Sequence, residues 1–272
     1  MKKLGFVLTM VAFMLLCGMT AIAAPKFDKT NVAKGYITIT YDGEVVKKLV
    51  KLKVEVEGNK DYYSYTIITN EPFNVPLSFG DGKYKFTIME RVSGTKYKGI
   101  AVDSFTAKIT SDLDRYLVSS PIVDYNKDTK AVVDYQKKFT DGKLTTPATK
   151  VNLFYEEMVK GFKYDFDKMN DVINKKYPDG YTPIIDTVYV AKKGICYDYS
   201  SVTAGVLRAA GVPTKVVVGY APEVDSLHAW NEIYLDGKWI VADLTYDAAY
   251  AQAGQKYSMA KDAKLFKPTK IY

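Results

Sequence analysis

Hydrophobic residues recur with a period of two between Gly35 and about Ser120. Six short runs carry this pattern: GYITITYDG, VKLKVEV, DYYSYTII, FNVPLSF, GKYKFTIMERV and FTAKIT. They are rich in Val, Ile, Thr, Tyr and Phe, the residue types that strands favour. Turn-forming pairs separate them, namely Asp42-Gly43, Gly58-Asn59, Asp81-Gly82 and Ser93-Gly94. Strands of this length and spacing predict an N-terminal antiparallel β-sandwich, which we assign to residues 30–122.

The run GKYKFTIMERV predicts two unlike faces for its strand. Tyr84, Phe86 and Ile88 alternate with polar residues, so one face should be buried and the other solvated. This half of the chain shows no arrangement of residues typical of catalysis. Its pattern favours a spacer or adhesion module, and the alternative is a carbohydrate-binding face built from exposed tyrosines.

The period becomes helical after SSPIVDYNKD. The run TKVNLFYEEMVKGF has apolar residues at helical spacing, and Pro147 precedes it as a helix start signal. We place a domain boundary near residues 122–127 and expect a second domain over residues 126–272.

The segment KKGICYDYSSVTAGVLRAAGVP predicts a further helix that begins at or just before Cys196. The helix should end near Gly211, because glycine favours the position after a helix and Pro213 prevents continuation. Gly194 should allow an unusual turn before the helix, and the mid-helix Gly205 indicates a close neighbour. The apolar stripe of this helix is Val202, Val206, Leu207 and Ala210.

The position of Cys196 favours a reactive sulfur. The N–H dipoles at a helix N-terminus stabilise an anion, and they increase the thiolate fraction of a cysteine placed there. The alternative is a small buried hydrophobic side chain, which free cysteines often are.

The segment LHAWNEIYLDGKWIVADLTYD predicts a β-hairpin closed by Asp236-Gly237. Such a two-residue turn pairs Leu235 with Lys238. In that register His228 faces Thr245 and Trp230 faces Asp243, so these four side chains share one face of the hairpin. A three-residue turn would send Asp243 to the opposite face.

This register brings an imidazole near a carboxylate. Asp243 lies diagonally from His228, about 7–8 Å away at the backbone, a gap that the two side chains can span. We therefore predict a hydrogen bond in which Asp243 accepts from Nδ1 and leaves Nε2 for Cys196. His228 is the only histidine, and a structural role for it is the alternative. One histidine with one cysteine disfavours a zinc site, and we expect no metal and no cofactor. Trp230, on the same face, is our candidate for lining a substrate cleft.

The N-terminus has the pattern of a signal peptide. Lys2 and Lys3 precede an apolar stretch, and Ala21-Ile22-Ala23 is typical of a cleavage site. We assign residues 1–23 to it and expect a secreted or cell-surface protein. Removal lowers the net charge from +7 to +5 and leaves Cys196 as the one cysteine. The remaining chain has neither a clustered basic stripe typical of nucleic-acid binding nor a run of about 20 apolar residues typical of a membrane span.

Two segments carry a family resemblance. GICYDYSSVTAGVLRAAGVPTKVVVGY followed by HAWNEIYLDGKWIVADLTYD resembles the transglutaminase-like superfamily of bacterial proteins. The shared pattern is a Gly-x-Cys helix start, an Arg-Ala-x-Gly-Val-Pro helix end, a His-Ala-Trp strand and an Asp after a Trp-containing strand. The resemblance covers roughly residues 128–272 and leaves out the β-rich half.

This resemblance implies a fold and roles for individual residues. The fold would be α+β, with a papain-like core in which the cysteine helix packs on an antiparallel sheet. Cys196 would be the nucleophile, His228 the general base and acid, and Asp243 the orienting carboxylate. Tyr164, in FKYDF, is the candidate by position for helping an oxyanion site. Many relatives have Asp-Pro-Thr where this chain has Asp-Leu-Thr, a change that affects only local backbone geometry.

The function that follows is a secreted thiol enzyme acting through an acyl-enzyme on peptide or protein substrates, cell-wall-associated ones among them. Hydrolysis of an amide bond is our first hypothesis. One alternative is a crosslinking transglutaminase, in which a lysine amine replaces water. The other is a non-catalytic module that binds the cell surface.

Overall fold

The computed structural model describes residues 24–45, 49–139, 146–177, 180–222 and 224–272. The predicted signal peptide, residues 1–23, lies outside these ranges.

In the described part of the N-terminal half, seven strands form two antiparallel sheets. One sheet has the order β1-β2-β5 and the other the order β4-β3-β6-β7. The strands are β1 (Lys26–Asp28), β2 (Tyr36–Thr40), β3 (Val50–Val56), β4 (Tyr62–Ile67), β5 (Phe73–Pro76), β6 (Gly82–Ser93) and β7 (Lys96–Ala107). Inward-facing residues of both sheets belong to one continuous hydrophobic core.

The predicted alternation is confirmed in β6. Tyr84, Phe86 and Ile88 are fully buried, whereas Lys83 and Lys85 are exposed and Thr87 is half-buried. The last strand differs from the prediction: the structure extends β7 over Lys96–Ala107, and the run FTAKIT supplies only its end. The reason is the tight turn at Gly94, with φ of 50°, which pairs β7 with nearly the whole length of β6.

The second half mixes helices with a four-stranded antiparallel sheet of order β12-β11-β10-β13. Its helices are α1 (Lys130–Gln136), α2 (Pro147–Gly161), α3 (Phe166–Ile173), α4 (Ile185–Ala191), α5 (Cys196–Ala209) and α6 (Leu244–Gln252). Its strands are β8 (Lys163–Tyr164), β9 (Lys193–Gly194), β10 (Thr214–Tyr220), β11 (His228–Leu235), β12 (Lys238–Ala242) and β13 (Lys267–Ile271). The predicted mixture of helices with antiparallel sheets is therefore confirmed.

Helix α5 is the central element of this half. Nearly all of its residues are buried, and Asn231 of β11 donates a hydrogen bond to the Ser200 carbonyl at 2.9 Å. Gly205 has a close neighbour, as the sequence predicted, because an added Cβ there would lie 2.4 Å from Cδ1 of Ile185. The helix ends as predicted, with Gly211 at a φ of 81°.

The hydrophobic core continues from one half of the chain into the other. Arg208, which is buried in α5, donates to the carbonyls of Val118 and Tyr272 at 2.9 and 3.0 Å. The domain boundary near residues 122–127 remains a prediction.

We searched the described ranges for helices that could cross a bilayer. None of those helices is both long enough and apolar enough.

Candidate active site

Cys196 is the first residue of α5, as the sequence predicted. Its side chain is partly exposed. Ile195, the residue before Cys196, is held by a side chain of α5. Its N–H donates a hydrogen bond to the Asp198 carboxylate at 2.8 Å. An acceptor at the third helical position is a common way to satisfy a free N–H at a helix start.

Gly194 serves a different purpose from the one predicted. It has no positive φ, so no unusual turn occurs there, and Lys192 is the residue with a left-handed backbone, at a φ of 49°. An added Cβ on Gly194 would lie 2.6 Å from Cβ of Asp198. Glycine is therefore needed because the Asp198 side chain occupies the space that any larger residue would fill.

The hairpin has the predicted register over all the residues that pair. Leu235 pairs with Lys238 and Asn231 with Ala242. The prediction that Thr245 faces His228 is wrong, because β12 ends at Ala242 and Thr245 lies in α6. The strand ends there because Asp243 caps the helix, accepting a hydrogen bond from the Tyr246 N–H at 3.2 Å.

The predicted hydrogen bond between His228 and Asp243 is present. Nε2 of His228 lies 2.7 Å from Oδ2 of Asp243, and both side chains are buried. The prediction that Asp243 would contact Nδ1 is wrong. The carboxylate belongs to the N-terminus of α6 rather than to the strand face, and it meets the far nitrogen of the ring. Nδ1 is therefore the nitrogen left for Cys196, which lies close enough to the imidazole to help raise its pKa.

The surroundings of His228 favour its charged form. Burial disfavours the imidazolium, but the hydrogen bonds to Asp243 and Cys196 outweigh burial and raise the pKa of His228 to about 10. At neutral pH the ring is therefore a cation between a carboxylate and a sulfur. A cation beside a cysteine favours the thiolate, the form that reacts.

Tyr246 supports the imidazole from one side, and the sequence analysis did not single it out. Its ring stacks on that of His228, with centroids 4.8 Å apart and planes 13° from parallel. Its hydroxyl donates to the Pro222 carbonyl at 2.7 Å. The stack and the hydrogen bond together fix the plane of the imidazole.

A buried ionic cluster behind Cys196 was also missed. Asp198 is fully buried and pairs with Lys168 of α3, with an Nζ–Oδ2 distance of 2.6 Å. The Tyr181 hydroxyl donates to the other carboxylate oxygen and accepts from Lys168. Asp198 is the third residue of α5, a position from which an acidic side chain often accepts the N–H of the residue before the helix. That position could have revealed its bond to Ile195, but not its partners Lys168 and Tyr181.

A second buried acid, Asp247, lies one turn after Asp243 in α6. Burial raises the pKa of Asp247. Its carboxylate accepts from the Tyr155 hydroxyl at 2.7 Å and pairs with Lys261. These contacts attach α6, and with it Asp243, to helix α2 and to the segment that follows α6.

Tyr164 lies close enough to Cys196 for the two side chains to interact electrostatically. It belongs to β8 and pairs with Gly194 of β9, two residues before the cysteine. Burial, followed by the nearby Cys196 and two acids, raises the pKa of Tyr164 to about 12. The hydroxyl therefore keeps its proton at neutral pH and can donate a hydrogen bond. Its role in an oxyanion site stays a prediction.

Trp230 does not line the cleft, so this expectation is wrong. Only 1% of its surface is exposed, and its ring packs against Phe266 with centroids 5.1 Å apart. Trp230 shares a strand face with His228, but the segment before β13 covers that face at the tryptophan. It belongs to a small separate core with Val217 and Val241.

A cleft of about 680 Å³ opens at the sulfur and the imidazole. Cys196 and His228 lie in its wall. Apolar and aromatic side chains form most of the remainder, chiefly Met169, Val172, Tyr177, Tyr181, Leu227 and Tyr272. A cleft of this kind suits a ligand with a nonpolar group. Within the described ranges, no group of three or more His, Cys, Asp or Glu side chains could hold a metal ion.

Part of the chain is similar to known proteins. Residues 134–244, which include Cys196, His228 and Asp243, match the sequence profile of the transglutaminase-like superfamily. A curated relative, protein-glutamine gamma-glutamyltransferase from Pseudomonas aeruginosa, is 31% identical over 100 residues. That match covers 31% of this chain and spans only 15% of the relative.

Among solved structures, a proposed cysteine protease from Cytophaga hutchinsonii matches at 15% identity and a TM-score of 0.39. That match covers 74% of this chain and 65% of the other. Red sea bream transglutaminase matches at 13% identity and a TM-score of 0.29. That match covers 77% of this chain and 48% of the sea bream chain. The profile match therefore shows a transglutaminase-like segment within this chain, over residues 134–244.

Proposed function

We propose that this chain is a thiol enzyme that cleaves amide bonds in peptides or proteins through an acyl-enzyme. One observation carries the proposal: a partly exposed cysteine at a helix N-terminus lies within reach of an imidazole whose other nitrogen binds a buried carboxylate. This arrangement is that of a nucleophile, a base and an orienting acid.

In the first half of the reaction, the Cys196 thiolate attacks the carbonyl carbon and forms a carbon–sulfur bond. The carbonyl oxygen becomes an oxyanion, for which the Cys196 N–H and the Tyr164 hydroxyl are the proposed donors. The oxyanion collapses, the carbon–nitrogen bond breaks, and the amine leaves with the proton from Nδ1 of His228. A thioester and a neutral imidazole remain.

In the second half, water replaces the amine. Nδ1 of His228 takes a proton from the water as its oxygen attacks the thioester carbon, and this transfer restores the imidazolium. Collapse of the second intermediate breaks the carbon–sulfur bond, expels the thiolate and releases the carboxylic acid. Asp243 holds Nε2 throughout, so it fixes the ring orientation and stabilises the positive charge whenever Nδ1 is protonated.

Transamidation is the second candidate, and the curated relative named as a protein-glutamine gamma-glutamyltransferase favours it. The first half of the reaction would be the same, with ammonia leaving from a glutamine side chain. A lysine amine would then attack the thioester and form an isopeptide bond. Only the nucleophile of the second half differs.

The remaining proposals concern location and architecture. We propose export through residues 1–23 and action at or beyond the cell surface. We also propose that the two sheets of residues 30–122 form a sandwich, and that α5 against β10 and β11 forms a papain-like core.

One experiment separates the two reactions. The protein is incubated with glutamine-containing peptides and a labelled primary amine, with Cys196→Ala as the control. Label in the peptide supports transamidation, and new peptide termini or ammonia alone support hydrolysis. If wild type and Cys196→Ala both leave a broad peptide library unchanged, the enzyme proposal fails and a binding module becomes the better hypothesis.

A further inference from the structure

Two residues of the cleft wall are held by the β-rich half. These are Tyr272 and Gly180, which lie in the same cleft as Cys196. Both contact strand β4, more than 100 residues away in the sequence: Gly180 through a hydrogen bond and Tyr272 through its ring. The β-rich half is thus in direct contact with the walls of the candidate active site.

Tyr272 follows strand β13 and is fixed first through its backbone. Its N–H and carbonyl form hydrogen bonds with Val216 at 2.8 and 3.0 Å. The preceding residue, Ile271, donates its N–H to the Tyr63 hydroxyl of β4 at 3.1 Å. This bond ties the end of β13 to β4 at the residue next to the cleft wall.

The ring of Tyr272 also packs on β4. Its centroid lies 5.3 Å from that of Tyr63 and 6.0 Å from that of Tyr65, both in edge-to-face geometry. The neighbouring Lys270 donates to the Tyr62 carbonyl at 2.8 Å. Edge-to-face pairs favour one ring orientation over others, so these contacts select the position of Tyr272.

Gly180 touches β4 just as closely on another part of the cleft wall. Its carbonyl accepts a hydrogen bond from the Thr66 hydroxyl at 3.2 Å. Its φ of 84° requires glycine, and an added Cβ would lie 2.2 Å from Oγ1 of Thr66. The backbone at Gly180 therefore has little freedom to move toward β4.

The β4 side chains act through these two residues, because the described cleft lining contains none of Tyr63, Tyr65 or Thr66. They are therefore positioning residues. The wall that they position is mostly apolar and aromatic, as described above.

We propose that β4 fixes the cleft wall at Tyr272 and Gly180 and thereby sets the affinity of the cleft for a nonpolar substrate side chain. The substrate class is a peptide with an aromatic or large aliphatic residue near the reacting amide. This inference rests on the proposed function for the identity of the cleft, and it assigns the β-rich half a role in substrate binding.

The test measures peptide affinity without chemistry, in full-length protein carrying Cys196→Ala. The probe is acetyl-Ala-Ala-Phe-Ala-Ala-amide, and the same peptide with Lys in place of Phe is the comparison. Tyr63→Phe removes the hydrogen bond to Ile271 and keeps the ring. Tyr65→Phe is the matched control, because the Tyr65 hydroxyl forms no hydrogen bond within the described part of the chain. Thr66→Val is a second variant that removes the contact with Gly180.

We expect Tyr63→Phe and Thr66→Val each to weaken binding of the Phe peptide by roughly three- to tenfold, the effect of one lost hydrogen bond. Tyr65→Phe should leave the affinity within about twofold. Unchanged affinity in both variants, equal losses in all three, or no preference for Phe over Lys would overturn the inference. Alkylation of Cys196 by iodoacetamide, measured in wild-type protein, tests the proposed function separately. The reagent is so small that its reaction does not depend on contacts with the cleft wall.

Discussion

The Asp243 carboxylate links the imidazole of His228 to the start of helix α6. One oxygen lies 2.7 Å from Nε2 of His228, and the other accepts the N–H of Tyr246 at 3.2 Å. The carboxylate is therefore both a helix cap and the partner of the imidazole. Because the helix cap holds the acid in place, the orientation of the imidazole depends on the local fold of α6.

These two roles can be separated by substitution at Asp243. Asn caps helices as well as Asp does, so Asp243→Asn should keep the cap while removing the charge. We expect its turnover to fall on the order of a thousandfold or more. Asp243→Ala should lose the same activity and, in addition, about 1 kcal/mol of unfolding free energy relative to Asp243→Asn. Steady-state kinetics and urea unfolding measure the two effects, and equal stability of the variants would contradict the capping role.

The raised pKa of His228 predicts a dependence of stability on pH. The pKa is about 10 in the folded protein against 6.5 for the free side chain. The ring binds its proton more tightly when folded, so its stabilising contribution is complete below about pH 6.5 and is lost as the pH rises through about 10.

Urea unfolding across this range measures the effect. Other groups also titrate in this range. The relevant quantity is therefore the difference in unfolding free energy between wild type and His228→Gln. This difference should shrink steadily from about pH 6.5 to 10. A difference that is constant with pH would mean that the ring is not held as a cation.

Gly194 should tolerate no side chain. Gly194→Ala places a Cβ 2.6 Å from Cβ of Asp198, and we expect it to lower the unfolding free energy by about 1–3 kcal/mol. Gly161→Ala is the matched control, because Gly161 is the exposed last residue of α2 and an added Cβ meets nothing within 4 Å. Thermal unfolding of both variants is the measurement. An equally small effect at the two positions would contradict the crowding at Asp198.

The buried pair of Lys168 and Asp198 should be far more sensitive than a surface pair. Lys168→Met leaves an unpaired buried carboxylate and should cost about 3–5 kcal/mol of unfolding free energy. Adding Asp198→Asn should restore part of that loss, because the buried charge is removed while Ile195 keeps an acceptor. Lys176→Met is the control, since Lys176 pairs with Asp171 on the surface and should cost under about 1 kcal/mol. A loss at Lys168 no larger than at Lys176 would contradict this account.

The hairpin shows how far local sequence signals reach. Asp236-Gly237 specifies a two-residue turn, and such a turn fixes the register of the paired residues near it, from Leu235 to Ala242. Strand alternation does not predict where the strand stops. At Asp243 the preference of aspartate for capping a helix overrides continuation of the strand, so Thr245 leaves the face of His228.

Features that depend on distant residues could not be read from the sequence. The burial of Trp230 results from Phe266, and the support of Tyr272 comes from β4, about 200 residues earlier. The choice of Nε2 over Nδ1 depends on where the Asp243 carboxylate lies in three dimensions. The identity of the three central residues was predictable because each is marked locally, by a helix start, by a hairpin and by the only histidine.

The most direct test of the central claim is the rate at which iodoacetamide alkylates Cys196 at about pH 7, compared with a free peptide thiol under the same conditions. If the sulfur shares a site with a protonated His228 aligned by Asp243, Cys196 should react faster than the peptide thiol, and Asp243→Asn should weaken this advantage. If Cys196 reacts no faster than the peptide thiol, the account of an activated sulfur is wrong.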